Sequence, residues 1–126
     1  RDFEDATGVR TECHPGNLPN STSEKVFNVL FRAVQTGLIN AIRHGQARYI
    51  RLFFNVSDER LLMSLRNDSR VDTYFENYSE GIGLQGVRER LDLLGGTMRL
   101  ELLVDGFEMT TEIPITEVDN DTSSDS

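Results

Sequence analysis

Apolar positions along the chain repeat with two different periods. Val26, Leu30, Ala33, Gly37, Ile39 and Ile42 recur every three to four residues, which predicts a single helix over residues 22–44. Ser21, with Glu24 three residues on, reads as a capping box opening that helix, and Gly45 is a stop signal. From Tyr49 the period changes to two. Ile50, Leu52, Phe54 and Val56 alternate onto one face, as do Leu61, Met63 and Leu65 after the turn Ser57-Asp58-Glu59. These are two strands of an antiparallel hairpin, over 49–56 and 61–66. A short helix follows at 84–94, with Val87, Leu91 and Leu94 on one side and Gly95-Gly96 at its end. Met98, Leu100 and Leu102 make a third strand, and Phe107, Met109, Thr111 and Ile113 a fourth. Asp105-Gly106 turns between them and Pro114 stops the last. Residues 67–83 have no period and end in Gly81-Ile82-Gly83, so they read as a lid or binding loop. Residues 68–82 are expected to be the least ordered internal segment. Near the start, Val9 to Cys13 is the one extended candidate.

Paired strands with helices between the pairs argue for an α/β (α+β) two-layer sandwich: a mixed, mostly antiparallel sheet covered by helices on one face. The expected organisation is one domain over 1–116 and a disordered acidic tail over 117–126. The chain opens at Arg1 in mid-phrase, so it reads as a piece of a longer protein.

Charge narrows the function. The 126 residues hold 13 basic and 21 acidic side chains, a net charge of −8. Leaving out Glu117, Asp119, Asp121 and Asp125 halves it. Broad electrostatic binding to nucleic acid or to an anionic membrane is not expected from such a chain. Cys13 has no second cysteine to pair with, which points to a reducing compartment. Cys13 and His14 lack further ligands at metal-binding spacing.

Two constellations carry candidate chemistry. Asn40 and His44 lie four apart on one helix face, with Arg43 beside them. An amide oxygen and two basic groups there can hold a metal–phosphate group, and equally form the polar side of a surface helix. Gly81-x-Gly83-x-x-Gly86 leads into a helix, where free N–H groups and a positive dipole end favour phosphate. The same glycines also fit a plain loop before a helix. Arg88, Glu89 and Arg90 beyond them read as solvated charge decoration.

Taken together these segments resemble a known family. Asn40-Ala41-Ile42-Arg43-His44, preceded by Arg32-Ala33-Val34-Gln35, resembles the N box of bacterial sensor histidine kinases. Gly81-Ile82-Gly83-Leu84-Gln85-Gly86-Val87-Arg88-Glu89-Arg90 resembles their lid and following helix, and Glu112-Ile113-Pro114 their closing strand. The lead-in Thr7-Gly8-Val9 resembles their link to the dimerisation helices. The similarity runs over residues 3–115 and is nearest the subclass of nitrate and membrane-fluidity sensors. It implies a Bergerat (GHKL) ATPase fold, with ATP between the long helix and the glycine lid. In that fold Asn40 would hold Mg²⁺, Arg43 and His44 would lie near the phosphates, and Gly81, Gly83, Leu84 and Gly86 would belong to the closing loop. Asn67 would stand where the family reads adenine.

The resemblance also implies partners. The γ-phosphate would pass to a His on a dimerisation (phosphoacceptor) domain of the same kinase and on to a response regulator. The domain itself would be cytoplasmic, with no direct membrane contact and no nucleic-acid partner. There are departures. Thr36 replaces a Glu four residues before Asn40, and at the adenine end Asn67-Asp68-Ser69-Arg70-Val71 replaces an Asp-x-Gly-x-Gly motif. Gly106-Phe107 replaces a Gly-Thr pair. Asp68 or Asp72 is open as a substitute for the missing Asp. These losses keep a second reading open, a same-fold pseudokinase module with weak or no ATP binding that acts by protein interaction or biases toward phosphatase action. An anti-sigma-factor serine kinase and a plain α/β interaction domain are further rivals.

Overall fold

The computed structural model describes residues 8–17, 22–43, 46–69 and 82–115. Strand β1 (Arg10–His14) comes first and helix α1 (Glu24–Arg43) second. The hairpin β2 (Tyr49–Ser57) and β3 (Arg60–Asp68) follows, then helix α2 (Ile82–Leu93) and the hairpin β4 (Thr97–Leu103) and β5 (Gly106–Pro114). One sheet holds all five strands in the order β1-β2-β3-β5-β4. Among the described residues the β1–β2 pair is parallel and the other pairs are antiparallel. The mixed sheet and both hairpins agree with the sequence pattern.

Local chemistry explains the ends. α1 starts at Glu24, and its cap is Ser23 rather than Ser21: the Ser23 hydroxyl accepts the Val26 N–H at 3.2 Å. After α1 the left-handed conformation falls on Gln46 (φ 49°), and the Ala47 N–H returns to the Ala41 carbonyl at 3.0 Å. α2 closes with a Schellman motif. Gly95 takes φ 76° and donates to Asp92, while Gly96 donates to Leu91 at 2.7 Å. The β2–β3 turn places Asp58 (φ 54°) and Glu59 (φ 60°) in the left-handed region, as a two-residue type I′ turn requires. Beyond β1, the Asn17 amide donates to the Val56 carbonyl at 2.8 Å and accepts the Val56 N–H at 2.7 Å.

Strand pairing stacks the inward side chains in rows. Ile50, Asn67, Phe107 and Leu102 form one row; Leu52, Leu65, Met109 and Leu100 the next. Phe54, Met63, Thr111 and Met98 form a third, and Val56, Leu61 and Ile113 the last. Onto these rows α1 buries Val26, Val29, Leu30, Ala33, Gly37 and Ala41. α2 adds Leu84, Val87 and Leu91. The opposite sheet face is polar: Ser64 donates to Glu108 at 2.8 Å, and Arg66 pairs with the same carboxylate at 3.2 Å.

Two expectations change. Asn67 and Asp68 were expected in the long loop but end β3, held by pairing with Phe107 and Gly106. Alternation was a poor guide there because Asn67 is a polar residue on the inward face. Arg88 is not solvated decoration: its guanidinium donates to the Met98 carbonyl at 2.9 Å and ties α2 to β4. Most of the 68–82 segment, and the tail over 117–126, lie outside the described residues. No helix among the described residues is long and apolar enough to cross a membrane.

Candidate functional site

A cavity of about 10 Å³ lies between the helices and one end of the sheet. That is about the space of one water. α1 contributes Gly37 and Asn40 to its wall, and β3 contributes Leu65 and Asn67. β5 contributes Phe107 and Met109, α2 contributes Leu84, and β4 contributes Leu100. Helical spacing explains the α1 pair, since residues three apart share a face. The strand residues belong to the first two rows of the inner face, which alternation puts there.

The fold thus brings three of the eight expected site residues, Asn40, Asn67 and Leu84, to one cavity from three elements. Arg43 is the last residue of α1, exposed and not part of the cavity wall. Gly83 lies in the first turn of α2, and the Gly86 carbonyl accepts from Arg90 at 3.4 Å. His44 and Gly81 lie outside the described residues.

Asn67 is 3% exposed, and its amide nitrogen donates to the Asp68 carbonyl at 2.7 Å. That bond fixes which way the amide points and leaves its oxygen as the acceptor. Asp68 is engaged within the sheet. One of its oxygens accepts the N–H groups of Arg48 and Tyr49, each at 3.0 Å, and Asp68 is not part of the cavity wall. It serves to pin the start of β2 to the end of β3. Asp72 lies outside the described residues.

Beside Asn67 the backbones crowd. A Cβ on Gly106 would strike the Asn67 carbonyl oxygen, so only glycine lets β5 approach there. Phe107 is directly opposite Asn67 and 4% exposed. At Gly37 an added Cβ would fall 2.8 Å from the Met109 methyl and 3.0 Å from Leu65, so these side chains fill the space under the helix.

The sequence reading missed Gly37, Leu65, Leu100 and Met109 as site residues. Their signal was present, since all four belong to the apolar periods, but a period gives burial and not proximity to a cavity. Among the described residues no three His, Cys, Asp or Glu side chains converge to hold a metal. A divalent cation in this cavity would need oxygens from a ligand beside the Asn40 amide. The half-buried Asn40 at the wall fits that role as a single neutral oxygen donor.

No protein-family model matches the chain. The oxygen sensor histidine kinase NreB of Staphylococcus carnosus is 24% identical over 126 residues, covering 93% of this chain and 34% of that protein. The signal transduction histidine-protein kinase/phosphatase UhpB of Salmonella typhimurium is 33% identical over 94 residues, covering 75% of this chain and 18% of that protein. The chain therefore spans about a third or less of the curated relatives it matches. In fold, the catalytic domain of histidine kinase ThkA superposes with a TM-score of 0.63 at 19% identity, over 90% of this chain and 82% of that one. The chain is homologous to the sensor histidine kinases and matches their C-terminal catalytic, ATP-binding domain.

Proposed function

We propose that this chain is the ATP-binding domain of a two-component sensor kinase, supplying the γ-phosphate of ATP to a histidine on a separate dimerisation domain. A response regulator then receives the phosphoryl group. Histidine kinase catalytic domains in general bind ATP with Mg²⁺. The observation that carries the reading is the meeting of Asn40, Asn67 and Leu84 at one cavity, in a chain homologous to kinases. Those residues are far apart in sequence and on three different elements. Homology to kinases favours this reading over a same-fold module without ATP binding.

The roles follow from chemistry. The Asn40 amide oxygen is a hard, neutral donor that would hold Mg²⁺ beside the phosphates of ATP, where the ion would supply positive charge. Arg43 ends the helix that carries Asn40, and by the family resemblance Arg43, His44, Gly81, Gly83 and Gly86 would lie near the phosphates. Asn67 offers its amide oxygen to a donor on the base. The domain acts on a histidine it does not itself contain, so the isolated chain should not phosphorylate itself. Its site of action is the cytoplasm, where ATP is, and its partners are proteins rather than nucleic acid or lipid.

Calorimetry tests this. Mg·ADP should bind the unmodified chain, and Asn40→Ala should weaken binding about tenfold or more, about 1.4 kcal/mol. The unfolding free energy should change by less than about 1 kcal/mol, because Asn40 is only half-buried. Absence of any nucleotide binding at millimolar ligand would sink the reading.

A further inference from the structure

β4 is a terminal strand of the sheet, and among the described residues only β5 pairs with it. Its other edge offers backbone N–H and C=O groups on which a further strand can be laid. Large apolar side chains stay exposed around this strand. Leu93 ends α2 just before it, and Leu102 and Val104 stand at its far end. Leu102 belongs to an inward row yet is 52% exposed, whereas Met98 at the near end is 7% exposed. The polar face of β4 carries an unmet charge. Glu101 is directly opposite Glu108 of β5, and like charges so placed repel. Arg66 and Ser64 already serve Glu108. Arg99 and Glu101 share one sheet face, two residues apart, and neither has an ion-pair partner among the described residues.

The strand complements itself. A second β4 laid antiparallel with full overlap sets Arg99 opposite the partner's Glu101, and Met98 opposite the partner's Leu102. Leu100 then lies on the two-fold axis, so each contact occurs twice. Both unmet charges gain an opposite charge, and each half-bare Leu102 meets the end of the partner strand that α2 covers. Leu93 comes to the same end as the partner's Val104. Arg88 bonds the Met98 carbonyl, but a carbonyl oxygen accepts two hydrogen bonds, so the edge stays open. The outer edge of β1 lacks this property. Overlapped in the same way, it would set Glu12 against the partner's Glu12, and Glu12 is already held by His14 at 3.1 Å and Arg51 at 3.6 Å.

We infer that a second copy of this chain docks on β4, antiparallel about a two-fold axis through Leu100, and joins the two sheets into one. The inference stands apart from the nucleotide-binding reading. One strand of seven residues makes a small interface, of the weak class below about 1,200 Å².

Sedimentation equilibrium on the 126-residue chain tests this. The unmodified chain should dimerise with a dissociation constant on the order of 100 μM. Arg99→Glu and Glu101→Arg should each weaken the dimer about tenfold or more, because each puts like charges together at both symmetric contacts. The double variant should recover to within about threefold of the unmodified chain, a rescue that a merely structural role would not give. Phe31→Glu, on the exposed face of α1, should change nothing. Urea denaturation checks that each variant is folded. Hydrogen exchange on the unmodified chain needs no variant: protection of the β4 amides should rise with protein concentration. A chain that is monomeric up to about 1 mM, where even weak pairs associate, overturns the inference. So does a dimer indifferent to the single reversals, a double variant that stays dissociated, or a dimer abolished by Phe31→Glu.

Discussion

The two ends of the helix–sheet layer are made of different material. Toward the β2–β3 turn the last row is Val56, Leu61 and Ile113, and Leu61 and Ile113 are 1% and 0% exposed. All three side chains of this row are apolar. At the other end the row holds Asn67 beside Phe107, and the half-buried Asn40 reaches the same space. A packed apolar end loses free energy with each methyl removed, whereas an end with two amides and a small cavity has chemistry to offer a ligand. Stability and binding are thus assigned to opposite ends of one layer, and substitutions should separate them.

The sharpest break is at the packed end. Ile113→Ala should lower unfolding free energy by about 2–5 kcal/mol in urea titration, through lost transfer and a residual cavity. Its folded fraction should keep its affinity for Mg·ADP. An affinity loss there, measured under conditions where the variant is folded, would mean that the ends are not independent.

At the site end the largest structural effect should come from Asp68→Ala. It deprives the Arg48 and Tyr49 N–H groups of their acceptor and should cost about 1–3 kcal/mol. Hydrogen exchange should speed at those two amides first. Unaltered protection there would show that Asp68 is not what joins the strand ends.

Between the ends, Thr111 is 1% exposed and its hydroxyl has no hydrogen-bond partner among the described residues. Thr111→Val should therefore stabilise, by about 1 kcal/mol, and raise Tm. The smallest change concerns the turn beside the packed end. Glu59 holds φ 60°, which disfavours any residue with a Cβ. Glu59→Gly should add about 0.5 kcal/mol, the relief of that strain less the greater freedom of glycine in the unfolded chain. The denaturation midpoint should rise slightly with an unchanged slope.

What the sequence made legible follows from the range of each interaction. α1 and the two hairpins are written in local periods, and Gly95-Gly96 marks the end of α2 because the motif it closes spans only a few residues. β1 was visible as an extended stretch, but its parallel partner is 39 residues away, from Arg10 to Tyr49, and no local pattern names a partner. Asp68 and Arg88 were opaque for the same reason. Each bonds backbone groups that any residue carries, so the sequence holds no matching signal on the other side. The site divides in the same manner. Asn40 and the glycines after residue 80 stood out through family resemblance. That Phe107 would be buried beside Asn67 depended on the pairing of β3 with β5, which no local pattern names.

Asn17 has a consequence for how copies of this protein meet. β1 pairs with β2 only from Tyr49 to Phe53, and past that point a single carboxamide occupies both the N–H and the C=O of Val56. A bare stretch of strand edge is a template on which another chain can lay a strand of its own. The side chain of Asn17 imitates the missing backbone and withdraws that template from solution. A strand arriving there would first have to displace that carboxamide.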